Sequence, residues 1–336
     1  MSDDRIEPQS FEIDDEGDGK TLAAVVRGQM PGRSWNQVRG IISRGHVRTD
    51  GVVTTDHAAR VTCGQNIDVT VRTEKAKTHV IELLHVDRDV VVVDKPAGLI
   101  SVPYAGERDT LLHLATTALR RRTRKPTPML RVVQRLDIDT TGVLVFARTK
   151  SAERHLQQQF RVHSVDRRYR ALVLGRAEDA TISTSIVRNR GDGLRGRARR
   201  GSPTGQAAKE ATTHVQVLDV LDVPSELVVG GGSLQVSYVE CRLETGRQHQ
   251  IRIHLSESGH PLVGEKVYIR DYQGPMVRGF SDGQGRPLLH AQRLGFEHPS
   301  NAGTQAYVRP LTSDFVELLD QLDRAAPQAD LPPEVE

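Results

Sequence analysis

Residues Val143-Leu144-Val145-Phe146-Ala147 form a short run with no polar side chain, and Gly142 stands at its head. A run this short, rich in valine and leucine and headed by a glycine, reads as a largely buried strand. Val90-Val91-Val92-Val93 repeats the pattern, ending in the turn Asp94-Lys95-Pro96-Ala97-Gly98. The chain has 336 residues, and at about 150 residues per domain it has room for two domains, one of them large.

The loop feeding the first run is Gln134-Arg135-Leu136-Asp137-Ile138-Asp139-Thr140-Thr141-Gly142. An Asp at such a place either caps its own turn or is a reactive group on a rigid scaffold. The net charge of +3 hides an uneven distribution. Residues 1–20 hold eight acids and two bases and residues 320–336 five acids and one base, which leaves 43 bases against 30 acids between them. A body this basic points to a polyanionic partner. Arg is gathered at 120–124 and 188–200; the first group also complements a helix dipole. Cys63 and Cys241 have no metal-type spacing and read as two inert buried thiols, and no apolar run reaches the roughly 20 residues needed to span a bilayer. The acidic start is unlike a secretory leader, so a cytoplasmic protein is expected.

Along the chain, residues 1–19 are acidic and read as a disordered tail. Residues 20–72 read as a compact unit: a helix bearing Leu22, Val25 and Val26, a second helix capped by Ser34 and carrying Val38, Ile41 and Ile42, then short strands. Residues 73–79 read as a linker, 80–325 as the large domain and 326–336 as a tail. Within the large domain helices are expected over 110–122 and 151–160, and strands over 168–174, 212–220 and 234–243. The spacing from Ile251 to Leu255 favours a helix, with the alternation of Ile251, Ile253 and Leu255 leaving a strand as the alternative. The Arg-rich loop 188–200 is too polar and Gly-rich to pack, so it is expected to be mobile. It contains Gly191-Asp192-Gly193-Leu194-Arg195-Gly196, a formal dinucleotide-binding match; that motif needs a strand before it and a helix after it, and here Arg197-Ala198-Arg199-Arg200-Gly201 follows. His249 and His254, five apart, do not share a helical face as metal ligands would, and read as structural.

Arg135-Leu136-Asp137 followed by Thr140-Thr141-Gly142 resembles the signature of the RluA-type pseudouridine synthases, with Gln134 where the family usually has His and Thr141 where it usually has Ser. Asp94 to Leu99, Arg168-Tyr169, Gln250-Ile251-Arg252 and Leu288 to Leu294 resemble further family motifs in the family's order. Ser34 to Arg39, Ser43 to Gly51 and Gly64 to Ile67 are similar to the S-four-type RNA-binding module. The resemblance implies an α+β fold, a catalytic domain with a largely antiparallel mixed sheet and central cleft behind a small RNA-binding domain. It implies conversion of uridine to pseudouridine in RNA, with Asp137 as catalytic nucleophile or base, Tyr169 stacking on the flipped uracil, Arg252 paired with Asp137, and Arg135 filling the gap left in the RNA. Read without the resemblance, Tyr169 is a core strand aromatic.

Arg39, Arg44 and Arg48 of the small domain, and Arg195, Arg197, Arg199 and Arg200 of the loop, are the candidate phosphate contacts. Ser101-Val102-Pro103 departs from the Val-His-Pro common in the family, and Ser101 is assigned no role. The reaction has no redox change, so no cofactor or metal is expected. Large-subunit ribosomal RNA is the expected partner, transfer RNA the alternative. A non-catalytic RNA-binding or ribosome-assembly factor of the same fold is a further alternative, which the joint presence of Asp137, Tyr169 and Arg252 disfavours. A monomer is expected.

Overall fold

The structure is a computed structural model that describes residues 9–43, 45–54, 57–69, 79–103, 110–124, 128–280, 285–301 and 303–322. The expected linker, the C-terminal tail and Arg44 lie outside these residues, apart from His79. The chain divides into two compact units, one joining the N-terminal residues to Val187–Ala207, the other holding most of the rest.

In the N-terminal unit, strand β1 (Gln9–Glu12) precedes helices α1 (Leu22–Gly28) and α2 (Trp35–Ser43), followed by β2 (Val47–Thr49), β3 (Val52–Val53) and β4 (Asn66–Val69). Thr21 caps α1 by accepting from the Ala24 amide, and Ser34 and Gln37 bond each other's backbone amides at the start of α2. Asp50 and Gly51 both take positive φ, which turns β2 into β3 with the twist a two-residue hairpin needs. The helices bury Leu22, Val26, Val38, Ile41 and Ile42 on a sheet of order β1-β4-β2-β3. Residues 9–13 are therefore not the disordered tail expected from their acidity. Phe11 and Ile13 alternate with polar neighbours, so this stretch has an apolar face to lay on the core while Glu12 is exposed.

The Arg-rich segment is likewise ordered, against expectation. Arg190 is buried on Asp192, the Asn189 side chain accepts from the Gly191 and Gly193 amides, and Gln206 brackets Asn189 from both sides of its backbone. These bonds satisfy the polar groups that hydropathy alone counts against packing. No helix follows the Gly191–Gly196 motif.

In the large unit β5 (Leu83–Val86) and β6 (Val90–Lys95) lead to helix α3 (Leu111–Thr123), then β7 (Arg131–Val132), β8 (Thr141–Ala147), helix α4 (Lys150–Arg161), β9 (Asp166–Leu174) and β10 (Ala180–Val187). After the short β11 (Gly196–Arg197) come β12 (Lys209–Val223), β13 (Leu234–Leu243), helix α5 (Gln250–Glu257), β14 (Leu289–Glu297), β15 (Thr304–Val308) and helix α6 (Ser313–Gln321). From β10 the sheet runs β10-β12-β13-β9-β14-β8-β6-β5, with β15 on β14 and β7 on β8. Over this span its pairings are antiparallel except that of β8 with β14. No helix among the described residues is long and apolar enough to cross a membrane.

The two valine-rich runs are uninterrupted because each strand is covered on both faces. Val91, Val93, Leu144 and Phe146 join one core with Leu111, Ala115 and Leu119 of α3, while Val90, Val92, Val143 and Val145 join another with Ala152 and Leu156 of α4. A third cluster packs Phe315, Leu318 and Leu319 of α6 against Leu172, Leu174 and Val236. Residues 250–255 resolve as helix. Cys241 is buried as expected, but Cys63 is exposed, on a turn where its thiol meets Asp15.

Gly142 is where β8 first meets β14. The parallel register sets Thr141 beside His290 and Gly142 beside Ala291, and a Cβ on Gly142, whose φ is +109°, would stand 2.2 Å from the Ala291 carbonyl oxygen. Only glycine fits there. Thr141 Oγ1 and His290 Nδ1, 2.8 Å apart and both buried, close the same junction.

Candidate active site

The loop before β8 is anchored at several points. Lys95, the last residue of β6, is fully buried, and its Nζ donates to the carbonyls of Pro96 (3.0 Å), Ile138 (2.7 Å) and Thr140 (2.9 Å). Ser101 Oγ donates to the Leu136 carbonyl at 2.7 Å and accepts from the Leu136 amide at 3.1 Å. Ser101 thus clamps the residue before Asp137, a structural part that sequence reading did not assign to it. Arg286, itself bidentate to Asp314, donates to the Asp139 carbonyl. The backbone on both sides of Asp137 is held without help from its own side chain.

Among the described residues the Asp137 carboxylate caps no backbone amide. Its near neighbours are two cationic or hydrogen-bonding groups presented by the start of α5: His249 Nε2 at 3.8 Å from Oδ1 and Arg252 Nη1 at 4.0 Å from Oδ2. Its side chain is 23% exposed, so it is open to a ligand yet only partly solvated.

Arg252 is buried, and its main partner is not the Asp137 expected from sequence. Its Nε and Nη2 donate to both oxygens of Glu265, at 2.8 and 2.5 Å, leaving Nη1 turned to Asp137. Glu265 is fully buried and also accepts from the amides of Lys266, Val267 and Tyr268. Burial would raise the Glu265 pKa, but the Arg252 charge and these donors outweigh it and leave the carboxyl below its usual range. Burial likewise works against the Arg252 charge, and Glu265 first, with Asp137 adding, more than restores it. The result is a guanidinium fixed in direction by one carboxylate and offered to another.

His249 begins α5 in the left-handed region, φ +59°, and its Nδ1 lies 2.8 Å from the Tyr268 hydroxyl. Tyr268 in turn lies under the Arg252 guanidinium, 5.5 Å from its ring centre. His249 therefore belongs to the site, whereas His254 is structural, held between Thr213 and Thr184, with burial pushing its pKa down to about 4.

Tyr169 lies on β9, opposite Ala291 of β14, the same residue that stands opposite Gly142 of β8. The Tyr169 backbone is thus two strands across from the mouth of the Asp137 loop, about 9–10 Å at the usual strand spacing. Tyr169 is 8% exposed and packs into the first core cluster. Burial raises its hydroxyl pKa, and the Asp137 charge raises it further against an opposing Arg167. The core reading and proximity to the carboxylate both hold for this side chain. Arg135 is exposed beside the loop.

The remaining candidates lie in the other unit. Arg39 and Arg48 are exposed on α2 and β2, Arg195 is half-buried, and Arg197, Arg199 and Arg200 are exposed. Among the described residues no group of three His, Cys, Asp or Glu could hold a metal.

Lys95 carries a test of its own. Burial drives its pKa down to about 7, against the charges of Asp139 and Asp137, which raise it. The unfolded chain keeps that proton to about pH 10.4, so between about 7 and 10 it binds more protons than the folded chain, and stability rises with pH from this group. Turnover is expected to move the other way. A neutral amine has two donors for three carbonyls, so the loop loses a tether as pH climbs through about 7. Parallel urea melts and turnover across pH 6–9 should diverge in this sense, and the divergence should vanish in Lys95→Met.

Comparison with known proteins assigns the chain that carries this site to a family. Residues 89–257 match the RNA pseudouridylate synthase family model, and the chain belongs to that family. It is 32% identical to the ribosomal large subunit pseudouridine synthase D of Pseudomonas aeruginosa, over 95% of this chain and 97% of the relative. It is also 32% identical to the protein of that name from Neisseria meningitidis serogroup B, over 90% and 79%. Among solved structures, human RNA Pseudouridylate Synthase Domain Containing 4 superposes with a TM-score of 0.55 at 25% identity, covering 72% of this chain and 92% of that one. The enzyme is an RNA pseudouridine synthase with an α+β fold.

Proposed function

We propose that this enzyme converts uridine to pseudouridine in large-subunit ribosomal RNA, in the cytoplasm, with Asp137 as the reacting carboxylate. The observation that carries the assignment to Asp137 is its position: rigidly mounted, capping no backbone amide among the described residues, and 4.0 Å from Arg252. The choice of RNA rests on the two relatives at 32% identity over most of their length.

The reaction breaks the bond from uracil nitrogen to ribose, turns the base and rejoins it through carbon. Atoms and electrons balance within the nucleotide, so no cofactor is required. The uridine must first leave its stack, which costs a few kcal/mol in paired RNA. Arg135, exposed beside the loop, fills the space it leaves, and Tyr169 stacks on the extruded ring. Asp137 then acts as nucleophile or base at the sugar or ring, and Arg252 keeps it aimed. Pseudouridine maps of ribosomal and transfer RNA from cells with and without the gene test the substrate. Loss of a site confined to transfer RNA would replace the ribosomal assignment.

Phosphate binding falls to Arg39, Arg44 and Arg48 and to Arg195, Arg197, Arg199 and Arg200. Removing the last four together is expected to flatten the dependence of log affinity on log salt, by roughly 0.7–0.9 for each phosphate no longer neutralised. An unaltered slope would make that segment a solvated insertion.

A further inference from the structure

Trp35, the only tryptophan of the chain, occupies an unusual position. On α2 it shares the face of Val38 and Ile42, at i, i+3 and i+7, and both of those are fully buried. Trp35 is nevertheless 41% exposed and takes no part in the unit's core. Fraying does not account for this, because the reciprocal Ser34–Gln37 bonds fix the helix start at 2.7 and 3.3 Å.

Two guanidinium groups lie over the indole, Arg27 with Cζ 4.6 Å from the ring centre and Arg39 with Cζ at 6.0 Å. The second distance is at the outer limit of a cation–π contact. Neither Arg forms an ion pair among the described residues, while Asp14, Asp15, Asp18, Asp50 and Asp68 are committed to other partners in the unit. An arginine stacked on an aromatic face without a carboxylate keeps its donors for a phosphate.

We propose that Trp35 is a stacking platform for an unpaired base of the bound RNA, with Arg27 and Arg39 taking the phosphates beside that base. An open π-face flanked by cations is how sequence-tolerant binding of single strands is built, since every base has a face to stack and every nucleotide a charge to pair. A base inside a duplex offers no free face, so the platform selects a splayed nucleotide. This rests on the RNA-substrate reading above and deepens it: the N-terminal unit recognises unpaired RNA.

The single indole makes the test direct. Full-length protein is titrated with a dye-labelled single strand of about 12 nucleotides, and with the same strand in a duplex, following dye anisotropy and tryptophan emission together. Emission is expected to be quenched by the single strand with the same midpoint as the anisotropy rise. Trp35→Ala should weaken single-strand binding about tenfold without altering the salt slope or duplex binding, and Trp35→Phe should recover most of the affinity. Arg39→Ala, by contrast, should lower the slope by about 0.7. Circular dichroism confirms that each variant is folded. Tight single-strand binding with unchanged emission and with Trp35→Ala equal to wild type overturns the platform while leaving RNA as substrate, and assigns the indole to a protein contact. Absence of binding to either RNA removes the RNA reading and the proposal together.

Discussion

Asp137→Asn is expected to lower turnover by about 10³-fold or more while leaving RNA affinity and the melting temperature nearly unchanged. The amide has almost the shape of the carboxylate but can neither attack as an anion nor take up a proton usefully. The fold should not register the change. Lys95, Ser101 and Arg286 hold the loop by its backbone, and Arg252 keeps its bidentate partner, Glu265. The substitution removes the 4.0 Å pair with Arg252 and alters the 3.8 Å contact with His249, both to a partly exposed carboxylate and each worth at most about 1 kcal/mol. Nucleoside chromatography of the reacted RNA, run beside a thermal melt, measures both sides. A folded Asp137→Asn protein that makes pseudouridine at near wild-type rate would refute the mechanism.

Glu265→Ala should do the opposite, striking stability first. It leaves the buried Arg252 guanidinium without its bidentate partner, and breaking one side of a buried pair costs about 3–5 kcal/mol. Whatever folds should also turn over slowly, because Arg252 is then free to swing onto Asp137 or away from it. Glu265→Gln separates the two effects: it can still accept from Arg252 through one oxygen, so stability should recover partly while the aim of Nη1 stays loose. The pH dependence has a definite sign. The folded Glu265 carboxyl sits below its unfolded value of about 4.3, so its contribution is complete above that pH and is lost as pH falls toward the folded value. Urea melts between pH 7 and 3 should show this acid limb in wild type and not in Glu265→Gln. Equal stability of Glu265→Ala and wild type at pH 7 would mean that Arg252 finds another counterion.

Where sequence pattern and physical cause coincide, the fold was readable in advance. The runs at Val90 and Val143 carry their burial on their face, and α3 and α4 follow from helical spacing that supplies their covering layers. β1 escaped because composition averages over residues 1–19, whereas a strand needs only Phe11 and Ile13 in alternation. The Arg-rich segment escaped because its order comes from side-chain-to-backbone bonds of Asn189, Asp192 and Gln206, which leave no periodic trace.

The candidate site divides along the same line. Asp137, Tyr169 and Arg252 stand inside motifs. Glu265 is thirteen residues past Arg252 in a stretch with no pattern, and its pairing shows only in three dimensions. Lys95 did carry a signal: a lysine closing a wholly buried strand must find several acceptors, and the nearest supply is the backbone of the neighbouring loop.

The junction of β8 and β14 also bears on how the chain reaches its native state. Gly142 and Ala291 are neighbours in space, and the Thr141–His290 bond closes a separation of 149 residues. Contacts this far apart carry a large loop-closure cost and form late. During synthesis, β6 and β8 can pair as soon as both have emerged, but the head of β8 gains its second neighbour only once β14 has been made. Arg286, which holds the Asp139 carbonyl, arrives with the same late segment. A nascent or truncated chain ending before about residue 290 therefore holds the Asp137 loop without the strand and the Arg286 contact that fix it in space, and turnover is expected only once that segment has been made.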